Sequence, residues 1–146
     1  IYFPAGPPVG HCLGCFGCWI KTPGTCIIND RVRDFTRAMA ECSHLIIVSR
    51  CVYGGLSPDI KAIMDRNIGI MLPFFRIKSK EMHHYPRYKE MPGLTYHFYG
   101  TDISDAEKAT ASRLYNANCL NLSTGASSSF FHLSLEQLTA ALSPVQ

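Results

Sequence analysis

Hydrophobic positions along the chain change period several times, which predicts helices and strands in alternation. From Val32, apolar residues recur at i, i+3, i+7 and i+10, which indicates one face of a helix over about 31–43. The run HLIIVS that follows is short, continuous and β-branched, as is typical of a buried parallel strand. The sequence therefore predicts a helix-to-strand unit in this part of the chain.

Capping signals place three more helices. Ser57 followed by Pro58 predicts a helix over about 58–68, because serine can cap and proline suits the first helical position. Ser104 with Glu107 forms a capping box, and Ser134 with Gln137 repeats that pattern before the last apolar segment. The runs LTYHFYG and SSFFHL, which precede these two helices, read as strands.

Two segments lie outside this alternation. Residues 1–3 can be the end of a strand that leads into a Pro/Gly-rich loop. Residues 70–93 show neither period, so we expect a long loop there, and loops of that length in compact domains are often functional. The complete order predicts a parallel α/β sheet with helices on both faces.

Composition narrows the class of protein. With 146 residues, 47% of them hydrophobic, the chain is expected to form one domain over residues 1–146. No apolar run approaches the ~18–20 residues that cross a bilayer, so we expect no membrane association. The 14 basic and 11 acidic residues are too evenly balanced to indicate a nucleic-acid partner. The odd count of seven cysteines disfavours a disulfide scaffold and favours a reduced, cytoplasmic protein.

Four cysteines are concentrated in one loop: Cys12, Cys15, Cys18 and Cys26. Glycines between them allow the backbone to curl so that several sulfurs can converge. This compact set suits a [4Fe–4S] cluster better than zinc, which usually takes ligands from two separated pairs. Zinc binding, and cysteines that bind no metal, are alternatives that the spacing leaves open.

A second candidate site follows the strand predicted at 44–49. Gly54 and Gly55 lie in the turn after this strand, where ligands bind at the carboxyl ends of parallel strands. Glycine would let backbone N–H groups approach a flat cofactor, and Tyr53 could stack on it. The alternative is a strand-to-helix turn that needs glycine for its geometry alone.

The ordered segments GCFGCW, TPGTC, VYGGLSPDIKAIMDR, LPFF, EMHHYPRY and NANCLNL resemble the flavodoxin-like NADPH-dependent FMN reductases. The cysteine loop is similar to that of their iron–sulfur flavoprotein branch. The resemblance implies a three-layer α/β/α sandwich around a five-stranded parallel sheet of order 2-1-3-4-5. It also implies that FMN contacts two loops, matched by Arg50, Cys51, Val52, Tyr53, Gly54 and Gly55, and by Tyr99, Gly100 and Thr101.

The chain departs from this pattern at two places. The family begins with a strand, a phosphate-binding loop and a helix, and this first βα unit has no counterpart before Ile1. We therefore expect either a preceding segment or a partner chain to supply the central strand, because the sheet would otherwise have a gap. Arg50 stands where the family usually has proline.

The function that the resemblance implies is that of an FMN-dependent oxidoreductase. Its flavin would accept a hydride from NAD(P)H or electrons from a ferredoxin-like donor, and pass them to a small-molecule or protein acceptor. The four cysteines would be the ligands of a cluster, and the excursion with His83 and His84 would pack over a neighbour in a homo-oligomer. The alternative is a non-enzymatic module that binds zinc or serves interaction.

Overall fold

The computed structural model describes residues 9–124 and 128–143, which form an α/β fold. The elements follow in the order α1 (Gly17–Ile20), α2 (Phe35–Glu41), β1 (His44–Arg50), α3 (Pro58–Arg66), a 3-10 helix (Asn67–Ile70), β2 (Met71–Lys78), β3 (Glu81–Pro86), β4 (Gly93–Tyr99), α4 (Asp105–Leu122), β5 (Ser128–His132) and α5 (Leu135–Leu142). The strand predicted at 1–3 lies outside the described residues.

Three strands form a parallel sheet in the order β1-β4-β5, which confirms the predicted fold class. Arg50 of β1 pairs with Tyr99 of β4, and Tyr99 pairs with His132 of β5. The carboxyl ends of all three strands therefore meet at one edge. Within the described residues, β1 pairs with β4 alone, so its other side is free to pair with a further strand.

One face of the sheet carries the core. The apolar side chains of β1 and β4 on this face pack against α2, α3 and α4. The most buried of them belong to the middle of the sheet, where Leu94, Tyr96 and Phe98 alternate along β4. Leu138 of α5 is buried outside this cluster, and α5 contacts β4 and β5. The sheet is thus flanked by helices, as the α/β order predicts.

Helix boundaries differ from the sequence prediction for local reasons. Helix α2 begins at Phe35, four residues later than predicted, because Asp30 accepts hydrogen bonds from Val32 N and Arg33 N and holds a turn there. Ser57 does not cap α3 with its side chain. Its backbone N–H instead donates to Ser49 Oγ at 2.8 Å and ties the helix start to the end of β1. The capping box of Ser104 and Glu107 is present at α4.

The prediction of a long loop over residues 70–93 was wrong, because most of this segment is β-structure. Strands β2 and β3 form an antiparallel hairpin in which Ile77 pairs with Met82. The turn between them places Ser79 at φ 52° and Lys80 at φ 67°. Two positive φ angles are typical of a tight hairpin turn, which usually carries Gly or Asn at these positions. Because Ser79 and Lys80 stand at these positions instead, the turn could not be predicted from the sequence.

No helix among residues 9–124 and 128–143 is long and apolar enough to cross a membrane.

Candidate functional site

The turn after β1 is a closed loop. Val52 and Gly55 exchange two backbone hydrogen bonds of 3.0 and 2.8 Å, with Tyr53 and Gly54 between them at φ 50° and 73°. This arrangement points the Tyr53 side chain into solvent, where it is 91% exposed. Burial of Cys51 raises the pKa of its thiol, which the Gly54 backbone hydrogen bond partly offsets. Tyr53 is therefore free to stack on a ligand, whereas Cys51 is partly buried against the hydrophobic core.

Gly54 is required by the packing of the turn. A Cβ at this position would lie 2.7 Å from Thr110 Cβ and 2.9 Å from the Glu107 carbonyl oxygen, both on α4. Gly55 has more room, since its nearest contact would be the Val52 carbonyl oxygen at 3.3 Å. Close approach to α4 thus requires glycine at position 54, and neither sequence alternative for the turn included this contact.

The last residue of β1, Arg50, and the predicted loop after β4 meet in a cavity of about 460 Å³. The sheet register is the reason: Cys51 N donates to Tyr99 O at 2.9 Å, so the two strands end side by side. We call this the carboxyl-end cavity, and its lining residues are Arg50, Tyr99, Gly100, Thr101, Leu133, Ser134, Leu135 and Glu136. Cys51, Val52, Tyr53, Gly54 and Gly55 are not among them.

The segment 133–136 is the part of this cavity that sequence reasoning missed. It follows β5, and Gly100 N donates to His132 O at 3.1 Å, so its position follows from the same parallel register. The Ser134 hydroxyl oxygen accepts a hydrogen bond from Gln137 N and caps α5, as predicted. A side-chain hydrogen bond with Ser134 lowers the pKa of the Glu136 carboxyl. The lining of the cavity therefore includes one cationic side chain, Arg50, and one anionic side chain, Glu136.

The four clustered cysteines line a second, smaller cavity of about 90 Å³, which we call the cysteine cavity. Its other walls are Leu13, Gly14, Phe16, Ile27, Ile28, Arg66 and Ile68. Cys12 and Cys15 are exposed, Cys26 is half-buried and Cys18 is buried. Burial raises the pKa of the Cys18 thiol, and electrostatic interaction with the other three cysteines raises it further. The loop therefore brings all four cysteine residues to the wall of one small cavity.

Glycine and tryptophan hold the cysteine loop in this shape. A Cβ at Gly17 would lie 2.5 Å from Ile27 Cγ2, so the two arms of the loop approach closely at that point. Trp19 Nε1 donates to Met71 O at 2.9 Å, and its ring stacks on Phe16 at 5.2 Å. Trp19 anchors the loop to the start of β2 and does not line the cysteine cavity.

Arg66 is a buried cation in the wall of the cysteine cavity. Its side chain is 2% exposed, and its guanidinium donates to Asp30 Oδ2 at 2.5 Å, to Ile28 O and to Gly10 O. The hydrogen bond from Arg66 is the main reason that the pKa of the Asp30 carboxyl is lowered. Burial opposes the charge of Arg66, but contacts with Asp30 and Cys26 prevail and raise the pKa of its guanidinium.

The hairpin histidines have structural partners. His83 lies between Asn121 Oδ1 at 3.2 Å and Glu81 Oε2 at 3.1 Å. The His84 ring lies 4.3 Å from Phe75 and 5.0 Å from Trp19. Phe75, Ile77 and Met82 are exposed on the same hairpin, an apolar surface of the kind that often marks an interface. In the described parts of the chain, no three His, Cys, Asp or Glu side chains are arranged around a single metal ion.

Comparison with known proteins gives one partial similarity. The chain is 35% identical over 70 residues to an iron–sulfur flavoprotein of Methanocaldococcus jannaschii. The matched segment is 48% of this chain and 35% of that relative, so the similarity covers about a third of the relative's length. No protein-family model matches the chain. No solved structure matches it significantly.

Proposed function

We propose that the protein is a redox flavoprotein that binds FMN in the carboxyl-end cavity. The observation that carries this proposal is the meeting of Arg50, Tyr99, Gly100 and Thr101 around one cavity where three parallel strands end. Ligands in open α/β sheets bind at this edge, and a volume of about 460 Å³ lies within the usual range for small-molecule sites.

The residues present fit a flavin in character. Tyr99 offers an aromatic ring, Gly100 a backbone without a side chain, and Arg50 a positive charge for the electron-rich edge of a reduced flavin. Tyr53 stands exposed on the neighbouring turn, where it can cover a bound ring. When bound, the flavin supplies the hydride and electron chemistry, and these residues hold and orient it.

The cysteine cavity supports an iron–sulfur cluster as a second group. Each thiolate of a [4Fe–4S] cluster binds a separate iron, so the four sulfurs surround a space instead of converging on one ion. Cys12, Cys15, Cys18 and Cys26 surround such a space, and a buried cation lies in its wall. The similar protein from M. jannaschii is named an iron–sulfur flavoprotein, which agrees with both groups.

The reaction we propose is electron transfer through the flavin. NAD(P)H as hydride donor, or a ferredoxin-like protein as electron donor, would reduce FMN, and a small molecule or protein would accept the electrons. Cys12, Cys15, Cys18 and Cys26 would hold the cluster, which would supply one-electron chemistry alongside the flavin. These roles rest on the site chemistry and on the partial similarity to a protein of that name.

Anaerobic purification and absorption spectroscopy test the proposal. We expect resolved flavin bands near ~450 nm over a broad iron–sulfur shoulder, and FMN in the acid extract by mass spectrometry. Anaerobic addition of NADPH, NADH or reduced ferredoxin would then identify the donor by bleaching of the flavin band. A colourless protein that contains stoichiometric zinc would contradict the proposal and favour a zinc-binding interaction module.

A further inference from the structure

Arg66 has one buried donor that the fold leaves unused. Its guanidinium is fixed by Asp30 and by the carbonyl oxygens of Gly10 and Ile28, which together occupy the two terminal nitrogens. Nε is fully buried and has no hydrogen-bond acceptor among the described residues. An orphaned donor on a buried, fixed cation indicates a missing acceptor, because native proteins pair almost all such groups.

The direction in which this cation faces identifies the acceptor. Arg66 lines the cysteine cavity, whereas Asp30 does not, and the guanidinium interacts with the Cys26 side chain by hydrogen bonding as well as electrostatically. The ion pair therefore presents its positive end to the four cysteines. A [4Fe–4S] cluster with four thiolates is anionic, and becomes more so on reduction, since the thiolate charges outweigh that of the core.

We propose that Arg66 is the electrostatic partner of the cluster: its fixed guanidinium donates to the sulfur side of the cysteine cavity and stabilises the reduced cluster over the oxidised one. This inference rests on the cluster in the proposed function. Arg66 would not bind iron itself. It would act on the cluster through its charge and through the Cys26 ligand, and so influence the reduction potential of the cluster. Hydrogen bonds and charges near the sulfurs are known determinants of cluster potential.

Substitutions that remove one charge of the Arg66–Asp30 ion pair test this role, because the two are expected to shift the midpoint potential in opposite directions. Arg66→Met removes the cation and should lower the midpoint potential, by about 59 mV if the reduction equilibrium weakens tenfold. Asp30→Asn removes the neighbouring anion and should raise the potential. The double variant should lie between the two single variants, and Arg66→Lys should stay closer to the wild type than Arg66→Met because it keeps the charge.

The measurement is an EPR-monitored redox titration of the anaerobically purified protein, with iron content determined for every variant. Opposite shifts in Arg66→Met and Asp30→Asn support the proposal. Shifts of the same sign overturn the proposal. They would indicate that both substitutions loosen the packing and expose the cluster to water, instead of acting through the charge that each removes. An unchanged or raised potential in Arg66→Met also overturns it.

Two results separate this inference from the proposed function. Wild-type protein that takes up no iron overturns the cluster and the role of Arg66 together. Wild-type protein with a full cluster, but a potential that is insensitive to both substitutions, overturns the role of Arg66 alone. If Arg66→Met fails to fold, the other two variants decide. A raised midpoint potential in Asp30→Asn together with a near-native potential in Arg66→Lys supports the proposal. Any other pair of results overturns it.

Discussion

Gly54 lies directly against Thr110, so close that a Cβ at position 54 would be 2.7 Å from Thr110 Cβ. This contact fixes the turn after β1 onto helix α4, next to the edge of the sheet where we propose that flavin binds. Gly54 also has a φ of 73°, which disfavours side-chain-bearing residues independently of the contact. A single glycine thus couples the shape of the turn to the position of a helix.

Gly54→Ala should therefore destabilise the fold. The left-handed backbone costs an alanine about 1–2 kcal/mol, and overpacking against Thr110 adds about 1–3 kcal/mol. Gly14→Ala is the matched control, because Gly14 has a φ of 63° and nothing within 4 Å of a built Cβ. Urea unfolding of both variants measures the difference. Equal losses in the free energy of unfolding would show that the contact with Thr110 contributes nothing.

Periodicity and capping signals were enough to predict the three strands of the parallel sheet and the helices α2 to α5, whereas the short helix α1 was not predicted. The strands β1, β4 and β5 could be predicted because each is a short apolar run next to a predicted helix. Strand β1 follows α2, and β4 and β5 precede α4 and α5. The hairpin was missed because its strands expose apolar residues, Phe75 and Ile77 among them, so no polar alternation marks the outer face. Its turn also lacks the usual glycine or asparagine.

The site was only partly visible in the sequence. Arg50 and Thr101 were assigned to one site through the family resemblance, and both line the carboxyl-end cavity because neighbouring parallel strands end at the same edge of the sheet. Arg66 was overlooked because a charged residue at the end of α3 reads as a solvated helix terminus. Its spacing of three from the buried Ile63 was the available signal, since that spacing places a charge on the core face.

Tyr53 tests the flavin site without disturbing the fold. Because its side chain is 91% exposed, Tyr53→Ser should leave the free energy of unfolding within about 0.5 kcal/mol of the wild type. Loss of a stacking ring should weaken FMN retention, measured as the flavin-to-protein ratio after dialysis. Tyr85→Ser, on the exposed hairpin, is the control and should retain flavin. Equal retention in both variants would remove Tyr53 from the site.

If the four clustered cysteines bind a [4Fe–4S] cluster, the iron content of the protein can be predicted. Anaerobically prepared protein should contain about four irons per chain, and Cys15→Ser should lose most of them because one iron corner loses its thiolate. Cys119→Ser should keep its iron, since Cys119 lies on α4 and does not line the cysteine cavity. Iron and acid-labile sulfide assays measure both. Full iron content in Cys15→Ser would show that the ligand set is assigned incorrectly.

The last prediction concerns a buried histidine pair, one residue on β4 and one on β5. His97 Nδ1 lies 2.9 Å from His132 Nε2, and the two rings stack at 5.1 Å on the face of the sheet opposite the core. One nitrogen of this contact must donate and the other accept. Burial lowers the pKa of His97, and the proximity of His132 lowers it further. The folded protein therefore resists protonation at a position where the unfolded chain accepts a proton.

Stability should consequently depend on pH in a defined window. The contribution of His97 is fully present above its unfolded pKa of about 6.5, and is lost as the pH falls from there towards the lowered folded value. One proton accounts for a slope of at most about 1.4 kcal/mol per pH unit. His97→Asn keeps a hydrogen-bonding side chain but cannot titrate, so its stability should fall less steeply below pH 6.5. Urea unfolding across this range measures both slopes, and identical slopes would show that the pair does not bind its proton differently in the folded and unfolded states.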